Sequence, residues 1–170
     1  MSEESRQPGL ARLFLVNPDS ILGLMIFSVV LAIQEETTPP LVLALVSMAG
    51  VFALWVAHVF AHTVAGHSIT QDHRVSLVTS FRHSVADAWP MFAWTAPSVS
   101  VLLVAPLFGW TGPEAANISL DVMFGTLFVF GYLVFAYRRR RFVVRVLGGL
   151  ATALVGSFVV GVELVARYIH

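Results

Sequence analysis

Hydrophobic positions in this chain gather in long blocks, and the charged side chains fall almost entirely between them. Five apolar runs occupy about residues 21–34, 41–66, 89–110, 120–137 and 143–168. A hydrocarbon core of about 30 Å asks for about 20 apolar residues of a helix that rises 1.5 Å per residue. The pattern predicts an all-α, polytopic membrane helical bundle. Residues 1–20 form a cytoplasmic amino-terminal arm, and residues 21–170 form a single transmembrane domain.

The first run is the short one, spanning roughly 21 Å as a helix, so a tilted span is expected there. Asn17, Pro18, Asp19 and Ser20 supply a turn and an N-cap before it. An interfacial first run would leave four spans, as would a cleaved leader, the competing reading. It ranks lower because no A-x-A-like site follows and Glu35 and Glu36 come at once. Proline at positions 39 and 40 suits the opening of the second span. Between residues 68 and 88, Val75, Leu77, Val78, Phe81 and Val85 recur at helical spacing among polar neighbours, which predicts a short amphipathic cytoplasmic segment or a polar loop. The third run is bracketed by Trp89 and Trp110, as interface-anchored helices often are, and Pro97 inside it predicts a kink. Ser119 is the expected cap of the fourth span. The fifth carries Gly149, Ala153 and Gly156, a spacing that lets another helix come close, within the subunit or between subunits.

Composition agrees with the blocks. The chain is 57% hydrophobic and its charged residues make up 12%, about half of the roughly 25% usual in soluble proteins. Cysteine is absent, which excludes disulfides, thiolate metal sites, iron–sulfur clusters and cysteine nucleophiles. The balance of ten basic and ten acidic residues conceals segregation along the chain. Every basic residue is an arginine, and with five spans all but Arg167 fall on one side: Arg6, Arg12, Arg74, Arg82, Arg138, Arg139, Arg140, Arg141 and Arg145. Glu35, Glu36, Glu114 and Asp121, at the edge of the fourth span, fall on the other side. The positive-inside rule then predicts a bacterial-type plasma-membrane protein, amino terminus in the cytoplasm and carboxyl terminus outside. The tetrad Arg138 to Arg141 is also the expected contact for anionic lipid head groups in the bilayer.

Candidate chemistry concentrates on the second span. At about 100° per residue, His58 and His62 lie about 40° apart on one face. Ser47 and Trp55 share that face, and His67 falls near the opposite side. Ionisable groups in a span face a bundle interior or a wet cavity, because exposure to lipid is costly. Ser47, Trp55, His58 and His62 are therefore the candidate polar pathway of a small transporter or channel-like protein. Histidine, which changes charge near neutral pH, would link that pathway to protons. The same imidazoles can serve as interhelical glue in an accessory or assembly subunit of a larger membrane complex. A histidine-ligated metalloprotein is a further alternative, drawing on His58, His62, His67, Asp72 and His73. No glycine-rich phosphate loop, Rossmann fingerprint or serine elbow occurs. The sequence thus favours no enzyme, no cofactor and no nucleic-acid partner. It favours a homo-oligomer or a complex with partner membrane subunits.

Overall fold

The computed structural model describes residues 18–35, 37–68, 77–137 and 141–169, and all regular structure among them is helical. Six helices follow in order: α1 (Pro18–Ala32), α2 (Pro40–Ser68), α3 (Leu77–Ala88), α4 (Pro90–Val104), α5 (Gly112–Tyr137) and α6 (Phe142–Ile169). A 3-10 turn, Ala105–Phe108, continues α4. Four stretches are long and apolar enough to cross a membrane: Pro40–Ala65, Val78–Phe108, Gly112–Tyr137 and Phe142–Val162. The shorter apolar helix Asp19–Ala32 accompanies them. The all-α bundle read from the sequence, with four or five potential spans, is the observed fold.

Several element boundaries differ from the sequence reading. Helix α1 starts at Pro18, so Asp19 and Ser20 belong to its first turn and not to a turn before it. The fourth span begins at Gly112, not near residue 120. Its start is fixed by Thr111, whose backbone N–H and Oγ1 both donate to Glu114 Oε2 at 2.8 Å. The Glu114 carboxylate thus supplies the backward half of a capping box, satisfying a donor that a helix start leaves open. Ser119 is therefore no cap; it lies fully buried inside α5. The amphipathic segment expected over 68–88 is helical from Leu77, and Trp89 keeps right-handed helical angles (φ −55°, ψ −36°). The chain thus passes from α3 into α4 through a single turn residue, Trp89, and Pro90, lacking an N–H, divides the two. The third span is α4 plus a tighter 3-10 turn at Ala105 and Pro106, closed by Gly109 at φ 70°. Glycine fits there because a Cβ makes that left-handed backbone costly.

Two clusters make the interior. Phe27 and Leu31 of α1, Leu43 and Val51 of α2, and Met91 and Leu102 of α4 form one; Leu24 with Met123 and Leu127 of α5 forms the other. In lipid such contacts gain little from expelling water, so close backbone approach carries more of the association. A Cβ on Gly23 would lie 2.9 Å from the Met91 carbonyl oxygen, which fixes α1 against α4. One on Gly131 would lie 2.6 Å from the Gly148 carbonyl oxygen, and one on Gly149 would lie 2.8 Å from the Phe128 carbonyl oxygen. Gly148, Gly149 and Gly156 of α6 are thereby spent on α5 of the same chain, while a Cβ on Gly161 would meet nothing within 4 Å. The opposite face of α6, with Leu147, Leu154, Phe158 and Val162, stays exposed and apolar.

Candidate functional site

The inward stripe of α2 meets α1 and α4. Ser47 is fully buried, Trp55 packs on Phe92 of α4 (ring centroids 5.9 Å apart), and His58 lies about one turn beyond Trp55. Phe92 also touches Trp89, at 5.9 Å, so His58 lies near the level of the tryptophan that begins the third span. His62 follows one turn on, its ring centroid 4.2 Å from that of His58, and is exposed. Of the four pathway candidates, Ser47, Trp55 and His58 turn toward the bundle and His62 sits at its edge.

The partner of His58 is one that the sequence reading did not assign. Asp19, in the first turn of α1, places Oδ2 3.2 Å from His58 Nε2, with side-chain exposures of 13% and 17%. An acidic side chain is favoured in the first turn of a helix, where the backbone N–H groups have no internal partners. The contact joins two helices on the covered side of both, at the end of the bundle where α3 passes into α4. A second pair, on α3, is different in kind: His83 Nδ1 and Asp87 Oδ2 lie 3.3 Å apart, but their side chains are 80% and 55% exposed. Thr63 of α2 and Ser84 of α3 are 3.5 Å apart through their hydroxyls, holding α3 along the last turns of α2.

Above this pair the stripe contains polar atoms without partners. Ser47 Oγ and Trp55 Nε1 are buried with no hydrogen bond, as are Ser20 Oγ of α1 and Ser98 Oγ of α4. Each such group costs about 1–3 kcal/mol relative to a satisfied one. Other buried hydroxyls are bonded: Ser28 Oγ donates to the Met25 carbonyl at 2.7 Å, and Ser119 Oγ donates to the Ser98 carbonyl at 2.9 Å. The orphan atoms therefore collect around α1, α2 and α4, where the histidine stripe runs.

The remaining sequence candidates fall into three groups. Gly149 and Gly156 are buried against Phe128 and Leu127 of α5, while Ala153 is half-buried. Arg141 is exposed; Arg138, Arg139 and Arg140 lie outside the described residues, as do Asp72 and His73. His67 belongs to α2, with its side chain outside the described set. Among the described residues, no group of three or more histidine, aspartate or glutamate side chains converges in a way that would hold a metal ion. Asp121 was read from the sequence as lying at the edge of the fourth span. Because α5 begins at Gly112, it stands about two and a half turns inside the helix, on an exposed face.

No family model, no curated protein and no solved structure matches the chain. What fold and site together define is a helical bundle of membrane type with a carboxylate–imidazole pair between its first two helices.

Proposed function

We propose that this chain is a small proton-linked transport protein of a bacterial-type plasma membrane. Its amino-terminal arm, the 68–88 segment and Arg138 to Arg141 face the cytoplasm, as the segregation of arginine favours. The reading rests on one observation: Asp19 and His58 meet at 3.2 Å at the foot of a stripe on which Ser47 Oγ and Trp55 Nε1 lack hydrogen bonds. A packed bundle rarely leaves such donors unsatisfied unless another state satisfies them. In this account the described conformation is the closed one. Protonation of the Asp19 carboxylate, reached through exposed His62 and His58, removes the charge that holds His58 and weakens the grip of α2 on α1, and the stripe hydrates. The carboxylate and imidazole would thus act as the proton-binding site, and Ser47 and Trp55 as hydrogen-bonding positions for a small polar solute or ion.

The assembly-subunit reading drew on the small residues of the last helix. Gly149 and Gly156 meet α5 of the same chain, so that motif no longer asks for a partner. Flux in proteoliposomes under an imposed pH gradient is the test. Wild type should show gradient-dependent uptake from a panel of small ions and polar solutes. His58→Leu with His62→Leu should abolish that dependence, and Asp19→Asn should reduce it. Absence of any gradient-dependent flux in the wild type, or unchanged flux in the double variant, would count against the reading.

A further inference from the structure

The outer face of α5 carries a polar stripe that nothing in the described chain covers. The helix buries Ser119, Met123, Leu127 and Phe130. On the opposite side, Asn117, Asp121, Gly125 and Val129 are all exposed, and their four-residue spacing puts them in one row. Among the described residues, no hydrogen bond or ion pair reaches Asn117 or Asp121. A Cβ added at Gly125 would find nothing within 4 Å.

Depth makes this row unusual. Ser119 donates to the Ser98 carbonyl, and Ser98 stands about midway between Trp89 and Trp110, the aromatic ends of the third span. Asp121, about 13 Å along α5 from Gly112, therefore sits well inside the apolar layer, Asn117 lies one turn nearer its edge, and both face away from the bundle. Amide and carboxylate side chains at that depth normally face protein, because lipid offers them no hydrogen bonds.

We propose that this row is the interface between two copies of the chain. Both copies insert with the same orientation, so a two-fold axis along the membrane normal brings like depths together and makes the contact self-complementary. The row carries its own donor and acceptor one turn apart. The Asn117 amide of one copy donates to the Asp121 carboxylate of the second, and the reverse bond follows by symmetry. Gly125, next on the row, has no side chain to hold a neighbouring helix off at that point. A basic partner chain is the competing occupant. The described arginines Arg82, Arg141 and Arg145 lie toward the other end of the bundle from Gly112, so a second copy would bring an amide, not one of those guanidinium groups, to this depth. The inference needs only the membrane reading and stands whether or not the chain transports anything.

The chain has no cysteine, so single cysteines report cleanly. Gly125→Cys in proteoliposomes treated with copper phenanthroline should give a disulfide dimer. Leu154→Cys, on the exposed face of α6, should not. Adding Asp121→Leu or Asn117→Leu to Gly125→Cys should lower dimer yield at least tenfold, with helicity by circular dichroism unchanged. Asp121→Asn, which keeps the hydrogen-bonding capacity and removes the charge, should retain it. No cross-link at position 125 above that at 154 would overturn the proposal. So would loss of the dimer in Asp121→Asn as complete as in Asp121→Leu, which would point to a counter-charge from another protein.

Discussion

Ser47 and Ser119 are both fully buried, yet replacing each by alanine should move stability in opposite directions. Ser47 Oγ has no partner, so Ser47→Ala removes a hydroxyl that the closed bundle holds at a loss. The full penalty for such a group is about 1–3 kcal/mol, and a hydroxyl that can turn toward its own backbone recovers part of it. The variant should therefore be about 1 kcal/mol more stable than wild type. Ser119 Oγ donates to the Ser98 carbonyl at 2.9 Å and links α5 to α4. Interhelical hydrogen bonds in membrane proteins average about 0.6 kcal/mol, so Ser119→Ala should lose about that much. The two variants should differ by about 1.5 kcal/mol, roughly tenfold in the unfolding equilibrium. Reversible unfolding by SDS titration in mixed micelles, followed by far-UV circular dichroism, resolves a difference of that size. Transport by Ser47→Ala should fall although its fold is firmer, because the hydroxyl works only in the hydrated state. A Ser47→Ala variant that is destabilised as much as Ser119→Ala would refute the reasoning.

Three further outcomes follow from the geometry. A double-mutant cycle with Asp19→Ala and His58→Ala should give a coupling energy of about 1–2 kcal/mol in the same unfolding assay, as expected for a mostly buried hydrogen bond to a charged group; a coupling under about 0.3 kcal/mol would mean that the two side chains do not act together. Gly149→Ala, whose Cβ would lie 2.8 Å from a backbone oxygen of α5, should cost about 1–3 kcal/mol, whereas Gly161→Ala, with nothing within 4 Å, should be neutral or gain up to about 1 kcal/mol from helix propensity. Glu114→Ala should cost about 1 kcal/mol through loss of the capping box and speed amide exchange at Thr111, which hydrogen-exchange mass spectrometry on the 105–118 peptide would show.

Block length and composition made the fold legible, because a helix that crosses a bilayer must satisfy its backbone internally and display apolar side chains for its whole length. The boundaries that were missed are local. Thr111 and Glu114 carry the capping-box signature, but Gly112 and Pro113 between them read as loop, and Ser119 looked like the better cap. Pro90 does open a helix, α4, but α3, which ends two residues before it, left only an amphipathic pattern in the sequence. The α2 stripe was legible from 3.6-residue periodicity alone. Its partner was not: Asp19 read as part of a turn, and a contact between residues so distant in sequence leaves no mark in either local pattern. Asp121 was hidden by the same boundary error that moved the start of α5, since a carboxylate at a helix edge asks for no explanation and one inside does.

The central claim is that the α2 stripe is sealed in the described state and opens to water when the Asp19–His58 site takes up a proton. A single Ser47→Cys in the cysteine-free chain reads this directly, through its rate of reaction with a membrane-impermeant maleimide in proteoliposomes. Labelling should be slow without a gradient and at least tenfold faster when an imposed gradient protonates the site, with the increase lost in His58→Leu. Equal labelling in both conditions, or an increase that survives His58→Leu, would contradict the account.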